Sequence, residues 1–337
     1  MRPKKVSLAH FFSRFGITKL YEKFSLNGIV VLNYHRLKAE RSNDHRTKFC
    51  KSVFGPNVDL FEKQMKWLSH NFDVISENDL LDILNEKISF PMKSALVTFD
   101  DGYIDNYTLA YPVLKLLGIP AIFFIPTLLI NTRRLGWWDI IEFFVRKSNN
   151  NFIHFSGQTI PIRNNLEKTT AVKIIIKYIC KTNNCEPAQI LDELSLETGI
   201  LPPNPEIQDR ELMTWEQIKD LSNNGMFIGS HTHSHKVLST LGVDEQKVEM
   251  TRSKQILEKG LNISVKSIAY PIGGNDTFTD ETKAIAKNVG FELGFSFVAG
   301  SHRRRIEDPY ELKRISPHSS FEFFKMSVLQ PNIFVYK

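Results

Sequence analysis

Ser94-Ala95-Leu96-Val97-Thr98-Phe99-Asp100-Asp101-Gly102-Tyr103 is the stretch whose reading decides the fold. Six mostly apolar residues run directly into two adjacent carboxylates and a glycine, the pattern of a buried strand that ends in a turn. Chemistry is often placed at such strand ends. Downstream, Asn106 to Leu117 has helical spacing, Gly118 stops it, and Ala121-Ile122-Phe123-Phe124-Ile125-Pro126 is the next buried strand. This makes a β-α-β unit. The same order recurs: strands are expected at Met226-Phe227-Ile228-Gly229, Ser267-Ile268-Ala269-Tyr270 and Phe291-Glu292-Leu293-Gly294-Phe295. Helices from Glu216 to Ser222, Asp244 to Lys259 and Thr279 to Asn288 separate them. Strands alternating with helices predict a parallel sheet covered by helices, hence an α/β fold, and a distorted (β/α) barrel in preference to an open sheet.

Upstream, Gly28-Ile29-Val30-Val31-Leu32-Asn33-Tyr34-His35 reads as another buried strand with His35 at its C-terminal mouth. Leu60 to Asn71 and Ser76 to Asn85 read as helices, the second opening with Ser76 three residues ahead of Asp79 in a capping-box pattern. Leu8, Phe11, Phe12, Phe15, Leu20 and Phe24 fall near helical spacing and predict one amphipathic helix, packed on its own domain or lying on a membrane surface. The expected organisation is an N-terminal amphipathic segment over 1–27, a barrel over 28–130 and 210–337, and a mainly helical insertion or lid over 131–209. The insertion opens at Trp137-Trp138-Asp139, where the two indoles would serve as a stacking platform for sugar rings or as core anchors.

The composition sets outer bounds. The chain has 337 residues, 42% hydrophobic and 24% charged, enough for one large core. No run reaches the roughly 18 to 20 apolar residues of a membrane-spanning helix. Residues 1–23 lack the apolar run of a secretory signal, so a cytoplasmic location, peripheral to the inner membrane at most, is expected. Cys50, Cys180 and Cys185 form neither CxxC pairs nor a disulfide framework and are read as packing residues. Net charge is +6 and dispersed, apart from Arg303, Arg304 and Arg305, read as a solvated loop or as a basic rim for anionic substrates. No aromatic and basic stripe points to nucleic acid. Oligomeric state is not legible.

Two segments carry the chemistry. At Asp100-Asp101-Gly102 a turn lets both carboxylates approach one site, so that one can hold a metal while the other moves protons; turn bonding alone is the bland reading. Gly229-Ser230-His231-Thr232-His233-Ser234-His235 follows another strand, and histidines at i and i+4 share a face if the backbone is helical. One carboxylate and two imidazoles are a three-ligand set that leaves a position for water, as a catalytic metal site requires. A divalent metal is expected, Zn²⁺ first, with Co²⁺ or Ni²⁺ as alternatives.

On these motifs the chain resembles the polysaccharide deacetylase superfamily, the NodB-homology domain of carbohydrate esterase family four. Thr98-Phe99-Asp100-Asp101-Gly102 matches its first motif and His231-Thr232-His233-Ser234-His235 its second, with weaker echoes at Val31-Leu32-Asn33-Tyr34-His35-Arg36, Ala269-Tyr270-Pro271-Ile272-Gly273 and Leu312-Lys313-Arg314-Ile315. The resemblance implies a (β/α)₇-type barrel. It makes Asp100 the base, Asp101, His231 and His235 the metal ligands, and the backbone N–H near Ile272 the oxyanion donor. It further implies removal of an N-acetyl, or else a formyl or O-acetyl, group from an amino sugar in an envelope glycan or its lipid-linked precursor. The alternative is a catalytically impaired glycan-binding protein. Two departures stand out. Ala269 occupies the position of an arginine that orients the base, as in the Ala-Tyr-Pro branch, so another residue must tune Asp100. Arg314 replaces the leaving-group histidine, and an arginine can stabilise anionic charge or position a neighbour but is a poor acid. His35 is then the first candidate for the acid, with His302 and His318 behind it. Tyr103, Tyr270, Trp137 and Trp138 are the expected substrate contacts.

Overall fold

The computed structural model describes residues 3–24, 28–39, 54–205 and 210–334; Cys50 lies outside them. Helices α1 (Pro3–Arg14) and α2 (Ile17–Phe24) precede β1 (Gly28–Tyr34), β2 (Arg36–Lys38) and β3 (Phe54–Asn57). Next come α3 (Val58–Asn71), β4 (Asp73–Val74), α4 (Glu77–Leu84), β5 (Lys93–Phe99), α5 (Tyr111–Leu117) and β6 (Ala121–Ile125). Beyond β6, outside the main sheet, follow α6 (Trp137–Lys147), the hairpin β7 (Phe152–Phe155) and β8 (Gln158–Pro161), α7 (Asn165–Ile179) and α8 (Pro187–Thr198). The chain then continues through α9 (Trp215–Asn223), β9 (Phe227–Ser230), α10 (Val243–Leu261), β10 (Ser267–Ala269), α11 (Asp280–Val289), β11 (Leu293–Phe295), β12 (His302–Arg303) and α12 (Phe321–Leu329).

The main sheet runs β11-β10-β9-β6-β5-β1-β12, parallel except for the antiparallel β12, while β4 pairs the first part of β5. Between its outer parallel strands lies the segment 312–315: Leu312 bridges Phe295 on β11 and Ile315 bridges Leu32 on β1, both parallel. That segment is the seventh stave, and the sheet curls into the distorted barrel that the strand-helix alternation predicts, of the (β/α)₇ type that the family resemblance implies.

Side chains alternate across each strand, and the burial follows this period of two. Ile29 and Val31 of β1, Leu96 of β5, Ile122 and Phe124 of β6, Ala269 of β10, and Leu293 and Phe295 of β11 share one cluster inside the barrel. Their neighbours Val30, Leu32, Ala95, Val97, Phe99, Phe123 and Ile268 pack outward against the helices. On β5 the inner row reads Leu96, Thr98 and then Asp100, so the carboxylate caps the inner apolar stack at the strand's C-terminal end.

Two local features differ from expectation. The N-terminal stretch is two helices, because Gly16 takes a left-handed conformation (φ 73°) that an α-helix cannot contain. Asn106–Ala110 is a wide π-type turn that gives way to α5 at Tyr111, next to Pro112, which has no N–H to offer an α-helical ladder. The capping box of α4 forms as read, with Ser76 and Asp79 exchanging hydrogen bonds. The stretch from α6 to α8 builds a separate apolar cluster, in which Ile141, Phe144, Ile153, Ile175 and Leu194 meet Tyr103, Trp137 and Trp138 beside the barrel mouth.

Candidate active site

Four non-glycine residues with left-handed backbones surround the barrel mouth: Asp101 (φ 72°), Thr232 (φ 63°), His235 (φ 58°) and Ile272 (φ 62°). Each costs on the order of 1–2 kcal/mol relative to a right-handed conformation, so the surroundings must hold them. Such strain concentrates where side chains have to be aimed. At Asp101 the turn is clamped from outside: Met213 N–H donates to Gly102 O and Ile104 N–H to Glu211 O. Below the turn, the fully buried Arg36 joins Asp105 and Glu211.

The histidine segment is not helical, contrary to the expectation from its i, i+4 spacing. It is an irregular loop in which the reversals at Thr232 and His235 bring the two imidazoles together, their ring centroids 4.7 Å apart. The loop's backbone groups are satisfied one by one. Glu249 of α10 accepts from His233 N–H (3.0 Å), Ser234 N–H (2.7 Å) and the Ser234 hydroxyl (2.6 Å). Thr232 N–H donates to the Ser230 hydroxyl and His235 N–H to the Thr232 hydroxyl. Trp137 donates its indole N–H to His235 O at 3.1 Å.

This scaffold places Asp101 Oδ1 3.4 Å from His231 Nε2 and 3.3 Å from His235 Nε2. One ligand atom of each residue lies within 4.8 Å of the others, and all three residues are buried. Donors bonded at about 2.1 Å to a tetrahedral ion lie about 3.4 Å from one another, so the three residues fit a divalent cation. His231 Nδ1 sits 2.8 Å from Ala269 O. Donation of its proton to that carbonyl fixes the tautomer that leaves Nε2 free to bind a metal. Burial pushes the Asp101 carboxyl up, but hydrogen bonds with His231 and His235 outweigh it and hold the group far below the usual carboxylate range. For His235 burial wins and lowers the ring, whereas for His231 burial is outweighed by the charges of Asp100 and Asp101, which raise it, so a metal entering the site would displace a proton there.

Asp100 is 3% exposed and held on two sides. Arg314 grips it bidentately, Nη1 to Oδ1 at 2.7 Å and Nη2 to Oδ2 at 2.8 Å, while Asn33 Nδ2 donates to Oδ2 at 2.9 Å. Arg314 is itself fixed by Nε donating to Ser296 O at 2.7 Å. Burial raises the Asp100 carboxyl, yet the charge of Arg314, followed by His231 and His35, pulls it below its ordinary range. Asp100 is therefore ionised at neutral pH. The seventh stave thus supplies the tuning residue that Ala269 cannot. His35 Nε2 lies 4.0 Å from Asp100 Oδ2, with its side chain 22% exposed.

Other expected residues are placed differently. Tyr103 is fully buried, its hydroxyl donating to Asp139 and its ring under Arg36, so it braces the turn and offers no face to a substrate. Tyr270, also fully buried, points its hydroxyl at Tyr310 O on the outer side of the barrel. Trp137 and Trp138 are 8% and 5% exposed. Trp138 packs 4.0 Å from the His235 ring centroid and donates its N–H to Tyr103, which makes the pair anchors of the histidine loop. His302 accepts Lys313 N–H, and burial lowers it to about 4; His318 accepts Ser320 N–H. Arg303, Arg304 and Arg305 are exposed but belong to the region of β12, which pairs with the first residues of β1, so they do not rim the mouth. Cys180 and Cys185 are free thiols packed against the apolar cluster of α6 to α8, Cys180 pushed up to about 11 by burial.

Asn33 and Glu249 went unassigned in the sequence. Asn33 had a signal, as the lone amide in an otherwise apolar strand; Glu249 had none, being one acid among several on an amphipathic helix.

The sequence pattern of the polysaccharide deacetylase family matches residues 87–294. The Bacillus subtilis (strain 168) protein YxkH, named for the same family, is 24% identical over 76% of this chain and 63% of its own length. The poly-beta-1,6-N-acetyl-D-glucosamine N-deacetylase of Staphylococcus aureus (strain MSSA476) is 37% identical over 31% of this chain and 38% of its own. The matches thus span less than two thirds of these relatives. Among solved structures, the Streptococcus pyogenes deacetylase PplD has a TM-score of 0.58 at 21% identity, covering 90% of this chain and 97% of that one. IcaB from Ammonifex degensii has a TM-score of 0.58 at 19% identity, covering 91% and 98%. Both share the fold. With the family pattern spanning the strands that carry Asp100, Asp101, His231 and His235, the chain belongs to the polysaccharide deacetylase family.

Proposed function

We propose that this protein is a metal-dependent hydrolase that removes N-acetyl groups from an amino-sugar polysaccharide. The observation that carries the reading is the buried triad of Asp101, His231 and His235 set beside an ionised second carboxylate, Asp100. A structural site would close a fourth ligand; a three-ligand set beside a base suits hydrolysis. When bound, a divalent cation, Zn²⁺ foremost with Co²⁺ or Ni²⁺ as alternatives, supplies Lewis acidity to an acyl carbonyl and to water.

The chain's own groups do the rest. Asp100 accepts the proton of the attacking water, and Arg314 and Asn33 keep its carboxylate turned toward the mouth. A carboxylate so strongly stabilised is a weak base, which suits it to water that is already acidified. Ile272 N–H, presented by a left-handed residue ahead of Gly273, has no partner among the described residues and donates to the developing oxyanion. His35 supplies the proton to the departing amine. The named activity of the staphylococcal relative supports a β-1,6-linked N-acetylglucosamine polymer as the substrate class. Mass spectrometry of acetate released from such oligomers, compared with β-1,4-linked oligomers and O-acetylated sugars, tests this. Acetate from β-1,6 oligomers, lost on substituting Asp100 by Asn, is expected. Turnover of none of the three, with the metal loaded, would refute it.

A further inference from the structure

Helix α1 has two apolar faces. One, formed by Val6, Ala9 and Phe12, packs with Tyr21 against Phe323, Met326 and Phe334 of the C-terminal region. The other points away. Leu8 and Phe11 on α1 and Phe15 in the turn after it follow i, i+3, i+7 spacing and are 40%, 51% and 63% exposed, with the rings of Phe11 and Phe15 4.4 Å apart. Leu20 on α2 adds a fourth side chain, 60% exposed. Isolated exposed apolar residues need no explanation, but four in one two-helix unit do.

The charge around them indicates what covers this face. Residues 1–24 contain Arg2, Lys4, Lys5, Arg14, Lys19 and Lys23 against the single acid Glu22, a net +5 of the chain's +6. Glu22 is turned inward, where it accepts the Trp67 indole N–H at 3.0 Å. Lys4, Arg14, Lys19 and Lys23 are all exposed. Aromatic and leucine side chains bordered by cations match the interfacial plane of an anionic bilayer, where apolar groups sink among the acyl chains and lysines meet headgroup phosphates.

We propose that α1 and α2 form a docking surface for anionic membrane, through which the protein sits on the lipid face. This stands whether or not the chain turns over a glycan. Each basic side chain near such a surface is worth about a five-fold gain in partitioning, equivalent to about 1 kcal/mol. Four of them therefore favour anionic over neutral vesicles by a few hundred-fold at low salt, and screening shrinks that preference as salt rises.

The test is co-flotation of the full chain with phosphatidylcholine vesicles, with and without about one third phosphatidylglycerol. Flotation with the anionic vesicles only, weakened at high salt, is expected. Phe11→Ser with Phe15→Ser should weaken it at least ten-fold, and Lys4→Gln with Lys19→Gln about twenty-fold or more, each with an unchanged thermal melt. Should the serine pair fail to fold, Phe11→Trp keeps the bulk and reports directly: its added fluorescence should shift to the blue on anionic vesicles alone. No flotation by the wild type at low salt, or flotation indifferent to both variants, overturns the proposal. A wild-type dimer that the serine pair converts to monomer, with no lipid binding, would overturn it in favour of a second copy as the occupant.

Discussion

Replacing Arg314 by methionine removes a guanidinium that makes two short hydrogen bonds to Asp100 in a site where both residues are at most 3% exposed. Asp100 would keep only the Asn33 amide. Breaking a buried, hydrogen-bonded ion pair from one side costs about 3–5 kcal/mol, mostly from the charge left behind. The pH dependence has a definite sign. In the wild type Asp100 is depressed, so its contribution to stability is present above its unfolded pKa and is lost as pH falls through the folded value. Without Arg314 its principal counter-charge is gone, burial raises the group, and stability instead falls as pH rises through the new folded value. The penalty of Arg314→Met should therefore be largest near neutrality and shrink in acid. Urea unfolding of chelator-treated protein at several pH values measures it. Combining the change with Asp100→Asn should cost less than the sum of the single changes by about 2 kcal/mol or more. In activity, the acid limb of kcat/KM should move to higher pH. A penalty below about 1 kcal/mol at pH 7, or one independent of pH, would refute the account of how Asp100 is kept ionised.

Glu249→Ala leaves His233 N–H, Ser234 N–H and the Ser234 hydroxyl without their shared acceptor, so metal affinity read by chelator competition should fall about 10–100-fold with little change in the fold. His35→Gln should lower kcat by about 10²–10⁴ while leaving metal content unchanged; an unaltered kcat would remove His35 as the acid. Glu77, buried against Ser267 and near Lys266, Lys254 and Glu292, is raised to about 7 by burial. Its folded value exceeds the unfolded one, so stability declines between roughly pH 4.5 and 7, by at most about 3 kcal/mol. Glu77→Gln should accordingly raise the melting temperature at pH 8 and have little effect at pH 5; equal effects at both would contradict this.

Legibility in the sequence followed the range of the interactions. The strands themselves were readable because β5, β6 and β9 bury both faces, giving apolar runs with sharp polar ends. The candidate ligands could be singled out because three histidines crowd into five residues and two carboxylates end a buried strand, while the division of roles between Asp100 and Asp101 came from the family resemblance. The geometry of the histidine loop was not, since its reversals depend on Glu249, Trp137 and Ser230, which lie far apart in sequence or look ordinary there. The role of Arg314 was half visible: Leu312-Lys313-Arg314 lacks the histidine that the family resemblance leads one to expect, but only barrel closure through 312–315 reveals what Arg314 grips. Tyr103 and the two tryptophans misled for a general reason. An aromatic next to a motif braces a turn as readily as it greets a sugar, and spacing cannot tell the two apart.

The central claim is that Asp101, His231 and His235 close on one divalent ion while Asp100 stays off it and works as the base. Metal content per chain after exhaustive dialysis, measured alongside acetate release, tests it most directly. About one equivalent is predicted for the wild type and for Asp100→Asn, with turnover in the first alone, and almost none for His231→Ala. An ion retained in full by His231→Ala, or full turnover by Asp100→Asn, would contradict it.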